Sequence, residues 1–152
     1  MNVSLAYGRG RLAVNVPEER TTVIEPSYVE GLPDEATAIR HALRQPIGTQ
    51  PLRTLVSTEH TVAISVCDIT RPMPSSTLLP VLLEELSHVP TTQIKILIAA
   101  GTHRECTHDE LVEMLGESIV DNCQIINHNA FDESNLVHLG EVAPDVPVWL
   151  NR

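Results

Sequence analysis

Aromatic residues are nearly missing from this chain: one Trp, two Tyr and one Phe, 3% of the whole. A surface that binds exposed bases needs several such rings, so stacking-based nucleic-acid recognition is excluded and the core falls to Val, Ile, Leu and Ala. Basic residues are also few, ten Lys and Arg against twenty Asp and Glu, for a formal net charge of −10. Lys95 is the sole lysine. That balance disfavours phosphate backbones and anionic lipid surfaces, so neither nucleic acid nor membrane is expected as a partner. No apolar run approaches the roughly eighteen residues of a membrane span. The opening "MNVSLAYGRGRLAVNVPEE" alternates in polarity and lacks a charged leader ahead of an apolar block, which points to a soluble, cytoplasmic chain. The cysteines, Cys67, Cys106 and Cys123, follow no CxxC spacing, so reduced thiols are expected rather than a disulfide framework or a zinc ribbon.

What is present fits one globular domain over residues 1–152, with 42% apolar and 20% charged residues. Residues 3–7 and 11–16 alternate around "GRG" and predict an antiparallel hairpin. "TTVIEPS" reads as a third short strand ended by Pro26. "PDEATAIRHALR", 33–44, has its proline and acids early and its basic groups late, in agreement with the helix dipole. "LRTLVSTEH" gives a connector with one helical turn. The second half predicts strand 61–66, helix 75–87, strand 94–100, helix 107–116 and strand 123–127. Thr107 and Glu110 form a capping-box pair there, and Gly116 is the stop. "LVHLG" and "VPVWL" read as edge strands. Alternation of this kind predicts an α/β fold: a mainly parallel, Rossmann-like sheet covered by helices, with the amino-terminal β-hairpin appended.

Ligands of parallel α/β sheets gather beyond the carboxyl ends of the strands, where three polar clusters fall: "CDITRP", "GTHRE" and "NHNAFDE". Arg71 offers a planar fork of donors for a carboxylate or phosphate, and Asp68 either orients that fork or holds a cofactor hydroxyl. A structural salt bridge closing the strand end is the competing reading. Pro72 and Pro74 stiffen the loop. The hydroxyls of Ser75, Ser76 and Thr77 either meet a phosphate at the helix start or cap it. His103, after Gly101, is a candidate general base or a structural turn histidine, and Arg104 is a second anion contact or a solvated side chain. A zinc site of His103, Cys106 and His108 is rejected, because the spacing is not that of a compact zinc motif. His128 borders the same cleft as a hydrogen-bonded neighbour.

The segments "YGRGRLAVNVPEE", "VCDITRPMPSSTLLPVLLEEL", "IKILIAAGTHRECTHDELVEMLG" and "INHNAFDESNLVHLG" together resemble the amino-terminal domain of the nickel-dependent lactate racemase family over nearly the whole chain. The DxTRPxP loop and the GTHR turn are its specific parts. The resemblance implies a 2-hydroxyacid racemase or epimerase that transfers a hydride reversibly to a nickel-pincer nucleotide. It makes Arg71 the clamp for the substrate carboxylate and His103 one of two catalytic bases, and it puts cofactor contacts at Asp68, Thr70, Ser75 and Ser76. The second base, the lysine that carries the pincer and the nickel-ligating histidine are then expected from a carboxyl-terminal domain or a partner subunit, since Lys95 lies inside "IKILI". A noncatalytic module that binds a nucleotide or a hydroxy acid is the alternative, and a purely structural domain a third.

Overall fold

The computed structural model describes residues 1–152, which divide into two compact units, Met1–Leu32 and Pro33–Arg152. In the first, β1 (Asn2–Tyr7) and β2 (Gly10–Asn15) form the expected hairpin, with Leu5 opposite Leu12. Gly8 takes the left-handed conformation, φ +57°, that a tight turn requires. The strand expected over "TTVIEPS" does not form: a single 3-10 turn, Glu18–Arg20, follows β2, and residues 21–32 have no regular structure. Its β-branched residues find no strand edge to pair with, and Pro26 brings no N–H donor.

The second unit opens with α1 (Glu35–Arg44), capped by Asp34, whose carboxylate accepts from the Thr37 N–H at 2.9 Å and hydroxyl at 2.7 Å. One helical turn follows, α2 (Leu52–Leu55). Then β3 (Val62–Cys67), α3 (Ser75–Glu85), β4 (Ile94–Ala99), α4 (His108–Leu115), α5 (Glu117–Asn122) and β5 (Gln124–Asn127) build a parallel sheet in the order β3-β4-β5. Ile64 stands beside Ile96, and Ile96 beside Ile125. Thr107 and Glu110 complete the expected capping box of α4. Gly116, at φ +90°, ends α4 and starts the unforeseen α5.

Alternation decides which strand residues enter the core. Ile94, Ile96 and Ile98 are buried, and Ile96 and Ile98 pack with Leu79 of α3, Leu111 and Leu115 of α4 and Ile119 of α5. Each such side chain contributes about 1.5–3 kcal/mol relative to exposure. "IKILIA" is thus buried on one side only, since Lys95 and Leu97 are half-buried and Ala99 exposed. The helices lie on one face of the sheet. Arg40–Glu84 and Arg44–Glu85, each 2.7 Å, tie α1 to α3 on that side.

The two segments expected as edge strands pair with each other instead. β6 (Leu136–Ala143) and β7 (Val146–Asn151) make a separate antiparallel hairpin, closed at Asp145 with φ +62°. A two-residue connection favours such local pairing, whereas joining the parallel sheet requires a long crossover. No helix is long and apolar enough to cross a membrane.

Candidate active site

The carboxyl ends of β3 and β4 open onto a cavity of about 290 Å³ lined by Asp68, Ile69, Thr70, His103, Arg104 and Cys106. Asp68 follows β3 and is buried at 5% exposure. Its Oδ1 accepts from the Thr70 hydroxyl at 2.7 Å and from the Thr70 N–H at 3.3 Å, a turn that Asp builds readily two residues on. Its Oδ2 faces His103 Nδ1 at 2.5 Å. The Thr70 hydrogen bonds, and then that of His103, hold the Asp68 carboxyl below its ordinary range, so it is ionised and can only accept. His103 Nδ1 must therefore carry the proton. In the neutral ring this leaves Nε2 as the basic nitrogen, on a side chain that is 48% exposed.

The backbone of "GTHRE" explains the placement of His103. Gly101 sits at φ +58°, Ala100 N–H donates to Ile98 C=O, and His103 N–H donates to Ala100 C=O at 3.0 Å, turning the chain back over the end of β4. Farther along, the side-chain amide of Asn127 accepts from Cys106 N–H and donates to Cys106 C=O, both at 3.1 Å. β5 thereby holds the far end of the His103 loop. Asn127 heads the "NHNAFDE" cluster, where no individual role attaches to it in the sequence, and it occupies a core-facing position two after Ile125, where a polar residue needs a partner.

Asp68 and His103, which the sequence left unpaired with each other, are brought together, and the carboxylate's partner is not Arg71. Arg71 is exposed, enters no ion pair and does not line the cavity; its N–H donates to Asp68 C=O at 3.2 Å. Its guanidinium is free to take an external anion. Arg104, by contrast, is engaged: it grips Glu110 with both terminal nitrogens, at 2.6 and 2.8 Å. Ser75 is buried and Ser76 exposed at the start of α3, which has no side-chain cap, so the plain capping role does not apply to these hydroxyls. His128 pairs with Asn151 at 2.7 Å and lines other cavities with Trp149, apart from the one that holds His103.

The Arg104 hydrogen bonds, followed by that of the Thr107 N–H, hold the Glu110 carboxyl down to about 2 from an ordinary 4.5. Because the folded value is depressed, this contribution to the capping of α4 is complete above the ordinary value and is lost as pH falls through it towards about 2. A carbon-13 NMR titration should place the Glu110 midpoint near 2; a midpoint near 4.5 would show the pair open in solution.

Residues 7–152 match the family described as lactate racemase N-terminal domain. The chain belongs to this family. It is 33% identical over 154 residues to a lactate racemase of Lactiplantibacillus plantarum and 33% identical over 156 residues to one of Thermoanaerobacterium thermosaccharolyticum. Each match covers 99% of the chain and 36% of the relative. The solved lactate racemase apoprotein of T. thermosaccharolyticum superposes with a TM-score of 0.79 at 33% identity, over 99% of this chain and 36% of that one. A Thermotoga maritima protein at 22% identity, TM-score 0.60, covering 82% of this chain and 32% of that one, shares the fold. The chain spans little more than a third of the curated relatives it matches.

The nickel-pincer nucleotide that the resemblance implies does not fit the residues of this chain at its metal or at its covalent link. No three His, Cys, Asp or Glu side chains come together as metal ligands. Lys95 is the second residue of β4, about 13 Å of strand away from the cleft end at Ala99. Asp68 Oδ1 and Oδ2 are already occupied by Thr70 and His103.

Proposed function

We propose that this chain supplies the proton-transfer and carboxylate-binding side of a 2-hydroxyacid (lactate-type) racemase or epimerase. The observation that carries the reading is the ionised, buried Asp68 fixing His103 in one tautomer at the mouth of a cavity, within a chain of the lactate racemase N-terminal domain family. His103 Nε2 takes the hydroxyl proton of a bound 2-hydroxy acid and returns it, while Asp68 offsets the charge that the ring gains. Arg71, with no partner of its own, grips the substrate carboxylate bidentately.

On this reading a nickel-pincer nucleotide, held outside this chain, would supply the hydride-accepting chemistry at C2 of the substrate. The ligands of that group, its covalent lysine and the second base belong to the remainder of a full-length enzyme or to a partner subunit. With respect to the cofactor, Ser75 and Ser76 stand at the helix start that follows the Arg71 loop, and Asp68 and Thr70 act by orienting His103. For the 152 residues alone, the single base and the lack of a ligand cluster support the second reading, a module that binds a hydroxy acid or nucleotide without turnover.

The test joins this chain to the part of the T. thermosaccharolyticum lactate racemase that lies beyond the match, with the cofactor installed, and follows interconversion of D- and L-lactate. Arg71→Ala is expected to lower kcat/KM about 10- to 100-fold, the worth of charge-assisted hydrogen bonds to a carboxylate, with the melting temperature unchanged. An unchanged kcat/KM would remove Arg71 from the substrate clamp. No racemisation by the unsubstituted joined chain, folded and loaded with cofactor, would favour the binding module.

A further inference from the structure

Within Pro33–Arg152 the helices cover one face of the parallel sheet, and the other meets only the β6–β7 hairpin, at its carboxyl end. β3, β4 and β5 follow one another in a single direction across it, and right-handed crossovers between successive neighbours place every connecting helix on the same side. α1 packs on α3 and adds to that side. Sheets made of parallel strands are otherwise found with both faces covered, because each strand then presents backbone and apolar side chains to protein in both directions. Here β3 turns Ala63, Ser65 and Cys67 outward, all exposed. β4 turns out Lys95, Leu97 and Ala99, and Leu97 lies beside Ile126 of β5.

We propose that this otherwise open face is the docking surface for an amphipathic helix contributed by the remainder of a full-length lactate racemase, with a carboxylate of that helix seated over Lys95. The proposal takes its partner from the reading of the chain as part of a racemase, and it concerns assembly rather than chemistry. Three features select this occupant. The small side chains of β3 leave a shallow strip on which a helix backbone can approach closely, while Leu97 and Ile126 present the apolar ground for its buried ridge. At the carboxyl end the strip runs into a groove of about 290 Å³ between Leu97, Ala99, Trp149 and Leu150, a seat for one large apolar side chain. Lys95, the chain's only lysine, sits half-buried on this face and enters no ion pair.

Charge distinguishes this occupant from a second copy of the chain. None of the outward residues of the three strands is acidic, since β5 adds only Gln124 and Ile126. Two such faces brought together would leave both Lys95 ammonium groups without a carboxylate, a costly arrangement once water is excluded. Length agrees as well. The match spans 36% of each relative, so a large share of a full-length racemase lies outside it. Leu150 and Asn151 already line the groove at the edge of the face, so polypeptide that follows them in a relative reaches the sheet without a long connection.

The test places a thiol at the amino end of β3, away from the Asp68–His103 cleft. Ala63→Cys in a Cys67→Ser background is labelled with a maleimide in the isolated chain and in the chain joined to the remainder of the T. thermosaccharolyticum enzyme. Ser65→Cys is carried as a second position in case the first variant fails to fold. Labelling is expected to be about tenfold slower or more in the joined chain, as for a site that must open before it reacts, and Lys95→Glu should restore the fast rate there. Equal rates in the two contexts would overturn the proposal. So would protection in the isolated chain that grows with its concentration alongside a dimer in sedimentation, which would assign the face to self-association. Racemisation is measured in parallel: a protected thiol in an inactive joined chain keeps the docking surface and ends the racemase reading, whereas activity with an unprotected thiol does the reverse.

Discussion

Asp68→Asn in the joined, cofactor-loaded enzyme is expected to lose about 10²- to 10⁴-fold in kcat, nearly as much as His103→Ala. The direction follows from hydrogen-bond polarity. The Thr70 hydroxyl and N–H both donate to Oδ1, so an asparagine here keeps its carbonyl oxygen towards Thr70. Its NH2 then faces His103 Nδ1 at the place where Oδ2 stood at 2.5 Å. Nδ1 must now accept, the ring proton moves to Nε2, and the nitrogen that faces the cavity is no longer a base. Ring and fold stay in place, so the deficit should appear in kcat with little change in KM, and circular dichroism should be unaltered. A variant that retains half of the activity would sink the assignment of His103 as base and Asp68 as the residue that positions it. His103→Ala tests the base directly: its side chain is half exposed, so stability should hold while turnover falls by a similar factor.

Arg44→Ala is expected to cost about 3 kcal/mol of folding stability, the lower end of the range for breaking a buried pair, because the arginine is 51% exposed while the Glu85 side chain is 2% exposed. Both Nε and a terminal nitrogen of Arg44 donate to the same Glu85 oxygen, at 2.9 and 2.7 Å, and their removal leaves a carboxylate sealed between helices. The neighbouring pair is the control. Glu84 is 52% exposed, and Arg40→Ala should leave stability nearly unchanged, as for other solvated pairs. Urea unfolding of the chain separates the two; equal small effects would mean that Glu85 finds water or another partner. Adding Glu85→Leu to Arg44→Ala should recover much of the loss, since the cost lies in the stranded charge.

Much of the second unit was legible in the sequence because its signals are local. The β-branched run of β3, the Thr107–Glu110 box and Gly116 each sit within a few residues of what they determine, and the structure has all three. The elements misread depended on partners farther away. "TTVIEPS" has strand-like residues but no available edge, and "LVHLG" and "VPVWL" have the right alternation for a sheet they do not join, since each satisfies the other first. The site was legible in the same measure. The clustering of polar residues after β3 and β4 indicated where to look, yet spacing suggested Asp68 with Arg71, three residues on, and could not show Asp68 with His103, which a crossover separates in sequence and the sheet reunites. Asn127 carried a readable sign, a polar side chain in register with buried isoleucines, that points to a clasp only once its neighbours are known.

The two-way bond between Asn127 and Cys106 makes the reach of His103 a property of three strands at once. A side-chain amide there mimics one rung of a ladder: it offers an oxygen to an N–H and an N–H to a carbonyl of the same residue, which neither Asp nor Leu can do. The imidazole therefore rides on a span fastened at Ala100 on one bank and at Cys106 on the other. Any change that shifts β5 along its neighbour would be felt at the His103 ring, without a single residue of the cavity being replaced.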